Sequence, residues 1–277
     1  MSQKIQRPKG TADVTVSDVY RWHYVENMLR ENARLFGYRE TRFPVFEHTE
    51  LFIRGVGDTT DVVQKEMYTF TDKGDRSITL RPEGTASTVR SFLENNLYNA
   101  PAPVKLFYII TCYRYERPQA GRFREFRQFG VENFGSNSAY TDAEVITLAM
   151  ELLSSAGVKG LKLYINSIGC VECRKKYNEK LREFLKPKFD ELCDTCKGRF
   201  DRNPLRILDC KVDHENEIMK SAPKTLDYLN DESRERFERV KEFLDIMQIT
   251  YEVDPNIVRG LDYYNHTVFE IEAKVEG

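Results

Sequence analysis

Two β-prone runs with a long basic loop between them constrain the fold of this chain more than any other feature. The runs are FYIITCYRY at 107–115 and EFRQFGVENFG at 125–135, both rich in aromatic residues. This composition favours strands. The loop contains Pro118 and Gly121 and, as its cations, Arg117, Arg122 and Arg124. The pattern predicts an antiparallel strand pair joined by a basic loop.

Such a pair would place three polar side chains, those of Arg114, Gln128 and Glu132, on rigid strand backbone, which suits a preorganised binding site. The loop would offer its guanidinium groups to a polyanionic ligand. The alternative is an ordinary hairpin whose charged turn is solvated, and both interpretations fit the spacing.

Composition limits the classes of protein to consider. The 277 residues fit one large domain or one domain with an insertion. A hydrophobic content of 40%, with 17 Phe and 15 Tyr, is enough for a packed core and excludes a disordered chain. The net charge of −2 excludes a nucleic-acid coat held by bulk positive charge. No apolar run has membrane-spanning length, and MSQKIQRPKG lacks the apolar core of a signal peptide, which predicts a cytoplasmic protein.

The order of patterns predicts an α+β fold, with a mixed, mostly antiparallel sheet flanked by helices and interrupted by a helical insertion. An amphipathic helix is predicted over 17–36, and Pro44 marks an edge or interface strand after it. A capping box that starts at Thr141 predicts a helix to about Ala156. Between residues 169 and 248 the sequence becomes charged and helical in period, whereas β-rich sequence lies on both sides. The predicted domains are a core at 1–169, an insertion at 170–248 and a second core segment at 249–277.

Two shorter segments carry candidate chemistry. In LRPEGT, at a predicted strand-to-helix junction, the carboxylate of Glu83 and the hydroxyl of Thr85 could accept protons from an ammonium group. The alternative is an acidic residue near the positive end of a helix. In VRGLDYY, Arg259 precedes a tyrosine pair, and with Arg114 it could bracket a phosphoryl group. The alternative for that segment is an exposed arginine near a β-turn with two core aromatics.

These motifs together resemble the histidyl-tRNA synthetase family of class II aminoacyl-tRNA synthetases. YRYERPQAGRFREFRQ resembles motif 2, and VRGLDYYNHTVFE resembles the family's histidine-binding motif. The Pro44 strand resembles motif 1, the dimer element, and LRPEGT resembles the amino-acid-binding segment. All four occur in the family's order and cover nearly the whole chain.

The resemblance implies an ATP-dependent ligase that activates L-histidine, in a complex with ATP and Mg²⁺, and transfers it to tRNA(His). The implied histidine-binding residues are Glu83, Gly84, Thr85, Gln128, Glu132, Tyr263 and Tyr264. The implied ATP-binding residues are Arg114, Glu116, Arg122 and Arg259, of which Arg114 and Arg259 are catalytic. Contacts to the tRNA acceptor end are implied for Gln119 and Arg124. A homodimer formed through motif 1 is also implied.

The resemblance is incomplete. The family's glycine-rich Arg-Tyr-Asp segment, motif 3 and anticodon-binding domain do not occur in the sequence, so an N-terminal catalytic-domain fragment with impaired catalysis is expected. One alternative is the synthetase-like regulatory subunit of ATP phosphoribosyltransferase, which lacks an anticodon domain. That protein would have no aminoacylation use for Arg114, Gln128, Glu132, Arg259 and Tyr264. Another alternative is a nucleic-acid-binding module that uses only the arginine loop.

Five of the six cysteines lie in the predicted insertion. Two pairs, Cys170-x-x-Cys173 and Cys193-x-x-Cys196, are separated by nineteen residues, a spacing typical of a four-thiolate zinc site. The alternative is two reduced, unliganded pairs, and the resembled family does not generally need zinc. Cys112 and Cys210 are interpreted as buried small apolar residues.

Overall fold

The computed structural model of the chain describes residues 4–57, 60, 62–208, 210, 212–213, 217–258 and 263–273. Its contacts divide the chain into two units, Met1–Ser136 and Asn137–Gly277, and each is described here by itself. Helices and mostly antiparallel sheets occur in both units, which confirms the predicted α+β class. None of the helices within the described ranges is long and apolar enough to cross a membrane.

The described part of the first unit contains three α-helices and six strands. The helices are α1 (Val19–Leu35), α2 (Thr49–Val56) and α3 (Thr85–Glu94). The strands are β1 (Arg39–Glu40), β2 (Phe46–His48), β3 (Tyr68–Thr71), β4 (Ser77–Leu80), β5 (Val104–Tyr113) and β6 (Glu125–Phe134). They form two three-stranded sheets with the orders β1-β5-β6 and β2-β4-β3.

The antiparallel pair of β5 and β6 is the largest feature of the first unit and confirms the predicted hairpin. Its register runs without a bulge from Val104 opposite Phe134 to Tyr113 opposite Glu125. Because side chains alternate along a strand, even-numbered residues of both strands share one face. That face carries Tyr108, Gln128 and Glu132, and the sheet therefore fixes their relative positions.

The segment around Pro44 lies between two short edge strands, as predicted. Strand β1 pairs in parallel with β5, and β2 pairs with β4 at the end of the other sheet. The buried side chain of Arg81 joins the two regions, since its guanidinium donates to the carbonyls of Phe43, Pro44 and Thr111 at 2.8–3.0 Å. Arg81 is therefore a structural clamp behind the Pro44 segment, because charged donors form strong hydrogen bonds in buried surroundings.

Helix α1 matches the predicted helix within two residues at each end, but most of its apolar side chains do not reach a core. Ala33 is its one buried residue. Tyr20, Trp22, Tyr24 and Val25 are between 38% and 67% exposed in the single chain. An amphipathic helix with its large apolar side chains in water is the arrangement expected of an interface that a partner covers.

The described part of the second unit contains five α-helices and three strands. The helices are α4 (Ala139–Ser155), α5 (Val171–Leu185), α6 (Asp194–Phe200), α7 (Glu217–Lys220) and α8 (Asp231–Ile246). The strands are β7 (Lys162–Ser167), β8 (Tyr251–Val253) and β9 (Thr267–Glu272). Strand β7 is central, parallel to β8 and antiparallel to β9. The predicted capping box at Thr141 is wrong: Ser138 caps α4, and its hydroxyl accepts the Tyr140 N–H at 3.2 Å.

Within the described part of the second unit, one hydrophobic cluster lies mainly at the sheet and another mainly in the segment that connects β7 to α8. One cluster joins β7 to α4 and α8 through Ile146, Ile165 and Val240, among others. The other contains Leu181 of α5 together with Leu205 and Ile207. The insertion boundaries at 170 and 248 stay a prediction. The packing of α8 favours a shorter insertion that ends near residue 230.

Candidate functional site

The ring of Tyr108 lies at the centre of a cluster of polar side chains, called the pocket below, on the even-numbered face of β5 and β6. Tyr108 is buried and lies opposite Gly130 in the strand register. A Cβ atom at Gly130, or at Gly84 before α3, would collide with the Tyr108 ring. The two glycines therefore leave the space that the ring fills, and they bring the start of α3 close to β6.

Glu83 lies at the start of α3 and is almost fully buried. Its carboxylate accepts the backbone N–H groups of Thr85 at 2.6 Å and Ala86 at 2.9 Å. Burial raises the pKa of Glu83, whereas these two amides and the nearby Arg114 oppose the rise. The alternative interpretation as a helix-start carboxylate is thus confirmed. Ammonium binding by Glu83 stays a prediction, and it is compatible with the cap because an ionised carboxylate has about four acceptor positions.

Glu132 is the second carboxylate of the pocket. The Tyr108 hydroxyl donates to its Oε1 atom at 3.3 Å, and the Thr85 hydroxyl is also within hydrogen-bonding reach. Burial raises the pKa of Glu132 to about 7, the negative charge of Glu83 adds to the rise, and the two hydroxyls oppose it. Near neutral pH this carboxyl group is therefore divided between its ionised and protonated forms, which is characteristic of functional carboxyls.

Gln128 lies on the same face of β6, two positions from Gly130. The Cys112 thiol donates to Gln128 Oε1 at 3.4 Å. Burial raises the pKa of Cys112 to about 12, so the thiol stays protonated at neutral pH. The buried position predicted for Cys112 is confirmed. The structure thus brings together Glu83, Thr85 and Glu132 and places Gln128 on the adjoining part of the same surface.

Tyr108 is the pocket residue that sequence reasoning missed. A tyrosine within an apolar β-run is normally interpreted as a core residue, so nothing in the sequence assigned its hydroxyl to a site. The signal that could have found it is Gly130, because a glycine inside a strand marks a close approach by another group. In the predicted hairpin register, that group is the side chain at position 108.

Arg114 extends from the end of β5 toward the same helix start. Its Nε atom donates to the Pro82 carbonyl at 2.9 Å, and its guanidinium lies 5.3 Å from the centre of the Phe126 ring. These contacts hold the cation in a defined position close enough to Glu83 to act on its charge. A fixed guanidinium beside a polar pocket can bind a phosphate or a carboxylate.

The loop between β5 and β6 is held by its own ion pair and by the N-terminal segment. Arg122 forms an ion pair with Glu116 at 3.2 Å. The Arg124 guanidinium lies 3.9 Å from the Tyr115 ring centre, and its backbone N–H donates to the Gly10 carbonyl at 2.7 Å. Arg124 therefore has a structural role that the sequence did not predict, and its tRNA contact stays a prediction.

An open groove of about 800 Å³ lies between the N-terminal segment and the loop. It is lined by residues 6–11 and 13 on one side and by Pro118, Gln119, Arg122 and Phe123 on the other. Arg7 and Lys9 add positive charge to that of Arg122. Sequence reasoning did not assign residues 6–13 to the site, because the segment forms no helix or strand.

Tyr263 and Tyr264 belong to the second unit. Their rings are stacked, with centres 5.0 Å apart and planes 20° apart. Tyr264 packs beside Ile168, Ile257 and Val268, whereas Tyr263 is 39% exposed. The structure thus gives one tyrosine a core contact, as the alternative interpretation expects. Arg259 lies outside the described residues.

The cysteines do not form the predicted four-thiolate set. The thiols of Cys170 and Cys173 lie 3.4 Å apart at the start of α5 and contact the start of α8, where the Asn230 N–H donates to Cys173 Sγ at 3.2 Å. Cys173 also lies 3.6 Å from the Ser233 hydroxyl. These four residues are called the neck below. The two Cys-x-x-Cys pairs have the spacing of a zinc site, but the packing of the helices places each pair beside different neighbours.

Cys193 and Cys196 instead lie beside Cys210 and Asp213, with all four candidate ligand atoms within 4.8 Å of one another. This group is the one cluster of its kind within the described ranges. The prediction for Cys210 is therefore corrected: it is buried, but its sulfur faces polar neighbours, with Cys193 Sγ 3.7 Å away.

Comparison with known proteins gives a consistent assignment. The family model for histidyl-tRNA synthetase matches residues 10–276. Histidine--tRNA ligases of Caldicellulosiruptor bescii and of Geobacillus sp. (strain WCH70) are each 58% identical over 98% of this chain, which covers 65% and 64% of their lengths. The chain therefore spans slightly less than two thirds of the curated relatives that it matches.

Solved structures show the same relationship. The apo histidyl-tRNA synthetase of S. aureus aligns with a TM-score of 0.79 and 44% identity, over 97% of this chain and 61% of that one. A Bacillus halodurans structure described as an ATP phosphoribosyltransferase regulatory subunit/histidyl-tRNA synthetase aligns with a TM-score of 0.68 at 21% identity, over 99% of this chain and 74% of that one. That second likeness shows the fold alone. The α+β fold is that of class II synthetases, and the chain belongs to the histidyl-tRNA synthetase family.

Proposed function

We propose that this chain binds L-histidine in the pocket around Tyr108 and takes part in histidine activation by ATP and transfer to tRNA(His). The observation that carries the proposal is the pair of carboxylates, buried Glu83 and half-buried Glu132, linked through the hydroxyls of Thr85 and Tyr108. Two carboxylates joined by hydroxyl groups suit a ligand that carries both an ammonium group and a ring with an N–H. Membership of the family supports this ligand.

Each carboxylate has a separate role in the proposal. Glu83, with Thr85 and Gln128, holds the α-amino group of histidine. Glu132 accepts the N–H of the neutral imidazole. An analogue without that N–H would leave the Glu132 carboxylate without its ligand partner, so the pocket discriminates strongly against apolar amino acids. The roles of Tyr263, Tyr264 and Arg259 in histidine and phosphate binding stay predictions.

Activation needs no general base on this chain, because the histidine carboxylate is already ionised at pH 7. One of its oxygens attacks the α-phosphorus of ATP, the bond to the β-phosphate breaks, and pyrophosphate leaves. Arg114, held by the Pro82 carbonyl, binds the α-phosphate and offsets the charge that develops there. Mg²⁺ bound to ATP would neutralise the leaving phosphates. Glu116 and Arg122 are proposed nucleotide contacts, which requires ATP to compete with their mutual ion pair.

The acceptor end of tRNA is proposed to meet the loop after β5. Gln119 and Arg122 line the groove there, and Arg7 and Lys9 add cations from the N-terminal segment. Because the chain has a net charge of −2, a polyanion such as tRNA is expected to bind at this local basic groove and not over the general surface. The proposed location is the cytoplasm, and the proposed assembly is a homodimer formed through the exposed apolar side of α1.

The alternative of a phosphoribosyltransferase regulatory subunit has weaker support. Its solved relative is only 21% identical, whereas histidine--tRNA ligases reach 58%. Histidine binding alone does not separate the two proposals, because a regulatory subunit could also sense histidine. Histidine-dependent exchange of pyrophosphate into ATP does separate them, since a regulatory subunit forms no adenylate.

Calorimetry with L-histidine tests the binding proposal, and L-phenylalanine is the matched ligand that lacks ring nitrogens. Binding of histidine but not phenylalanine is expected, and equal affinities would contradict the assignment. Pyrophosphate exchange then tests activation, on this chain and on a version extended past Gly277. Absence of exchange in both, together with binding to the phosphoribosyltransferase, would favour the regulatory alternative.

A further inference from the structure

Three thiols and one carboxylate lie together at the start of α6, and none of them has a role in the proposed histidine chemistry. Cys193 is the residue before this helix, and Cys196 lies in its first turn. Cys210 and Asp213 follow 17 and 20 residues after Cys193. The candidate ligand atoms of all four lie within 4.8 Å of one another. Helix packing has therefore collected side chains that sequence spacing divides into a pair and two single residues.

The distances fit a shared ion better than a disulfide. A tetrahedral zinc ion with Zn–S bonds of about 2.3 Å separates two sulfur ligands by roughly 3.8 Å. The sulfurs of Cys193 and Cys210 are 3.7 Å apart. A disulfide would require about 2.05 Å, and all six cysteines are free thiols in the structure.

The surroundings also suit a closed metal site. Cys196 is fully buried, and Cys210 and Asp213 are each 5% exposed. The Asp213 carboxylate accepts the Cys193 backbone N–H at 3.2 Å and is within hydrogen-bonding reach of all three thiols. The backbone N–H groups of Val212 and Asp213 point to the Cys210 sulfur. Amides directed at sulfur orient a thiolate ligand, as outer-shell groups do in metal sites.

A metal would also stabilise this part of the chain, in which the helical elements are short. Helix α6 has only 7 residues, and the next helical segment, Pro204–Ile207, is a single 3₁₀ turn. Such short elements are not stable on their own. Cys196 and Cys210 are members of the same buried cluster as Leu205 and Ile207, so an ion at these thiols would hold the edge of that cluster.

We propose that Cys193, Cys196, Cys210 and Asp213 bind one structural zinc ion through three thiolates and one carboxylate oxygen. Each thiol that becomes a ligand releases its proton to solvent. All four positions are filled by protein, so the ion is structural and not catalytic. Cys170 and Cys173 take no part, because their thiols are occupied by each other and by Asn230 and Ser233 at the neck.

Metal analysis of the purified chain and of matched cysteine variants tests this ligand set. About one zinc ion per chain is expected for the wild type and for Cys170→Ser, and none for Cys193→Ser or Cys210→Ser. Asp213→Asn should retain zinc more weakly, because a neutral amide oxygen replaces a charged ligand. Loss of zinc in Cys170→Ser with retention in Cys210→Ser would overturn the proposal in favour of the four-cysteine set.

A cobalt titration of the reduced wild-type chain keeps the test independent of whether any variant folds. Co²⁺ in a tetrahedral site with thiolates gives visible ligand-field bands and near-ultraviolet sulfur-to-cobalt charge-transfer bands. Both are expected, and Zn²⁺ should displace Co²⁺ and abolish them. Absence of these bands at one equivalent of Co²⁺, in a chain that also purifies without zinc, would overturn the proposal.

Discussion

Replacement of Glu132 by glutamine should move stability and histidine affinity in opposite directions. The substitution keeps the shape of the side chain and removes its ionisable group. In the unliganded pocket the ionised carboxylate is costly, because burial and the nearby Glu83 both raise its pKa. In the proposed histidine complex, the same charge accepts the imidazole N–H, so its loss should weaken binding.

The size of the stability effect follows from the pKa. A rise from 4.5 to about 7, at about 1.4 kcal/mol per unit, corresponds to an upper limit of about 3 kcal/mol. Glu132 is half-buried as a residue, so the gain should be smaller than this limit. Below about pH 4.5 the group is protonated in both folded and unfolded states and costs nothing. The cost grows as pH rises from about 4.5 to the folded pKa and is complete above about pH 8.

Urea unfolding at pH 5 and pH 8 measures this difference. Trp22 is the only tryptophan and lies on α1 of the first unit, so its fluorescence reports the unit that contains Glu132. Glu132→Gln should raise the free energy of unfolding by about 1–3 kcal/mol at pH 8 and by much less at pH 5. Calorimetry at pH 8 should show histidine binding weakened by about 1–3 kcal/mol, the range for a buried group left unpaired.

Glu125→Gln is the matched control, because Glu125 lies on the same strand at an odd-numbered position and so on the opposite face. Glu125→Gln should leave the histidine affinity unchanged. Its effect on the free energy of unfolding should be the same at pH 5 and pH 8. A stability gain in Glu132→Gln that is equal at both pH values would refute the burial argument. An unchanged histidine affinity would show that Glu132 does not read the imidazole.

Three further predictions address other parts of the chain. In the complete enzyme, Arg259→Ala should lower the rate of histidine activation far more than it weakens histidine binding, because its proposed partner charge develops at the α-phosphate; equal losses would make it a ground-state anchor. Light scattering at micromolar concentration should give about twice the 32.5 kDa chain mass. Tyr24→Glu, which puts a charge on the exposed side of α1, should shift that mass toward the monomer. A monomeric wild type would mean either that the interface needs segments outside this sequence or that motif 1 was misassigned. Gly130→Ala should destabilise the first unit by about 1–3 kcal/mol through its collision with Tyr108, whereas Gly198→Ala, which meets nothing within 4 Å, should have little effect.

The parts of the fold that depend on local pattern were predictable from the sequence. The hairpin of β5 and β6 follows from two β-prone runs around a turn, and α1 follows from its helical period. The cap of α4 was misplaced because several residues near its start can accept an amide hydrogen bond, and Ser138 is the one with extended backbone. Local sequence gives candidates for such a cap but does not choose among them.

The side-chain groupings were harder to predict, because they depend on which elements meet. Glu83 and Glu132 were assigned to one ligand only through the family resemblance; 48 residues lie between them, and no periodic pattern joins them. Tyr108 was missed because its hydroxyl contacts Glu132, a residue on the neighbouring strand. Cys210 was missed because a single cysteine has no spacing signature, and its partners are set by the packing of α6 against the following turn.

The neck has a consequence for how this family can vary. Cys170 and Cys173 touch Asn230 and Ser233, so the two ends of the segment at 174–229 lie together within the second unit. Closing such a loop costs entropy that grows only with the logarithm of its length, so insertions or deletions within it should be tolerated with little effect on β7, α8 and β8. The length of this segment can therefore vary among family members while β7, α8 and β8 keep their arrangement.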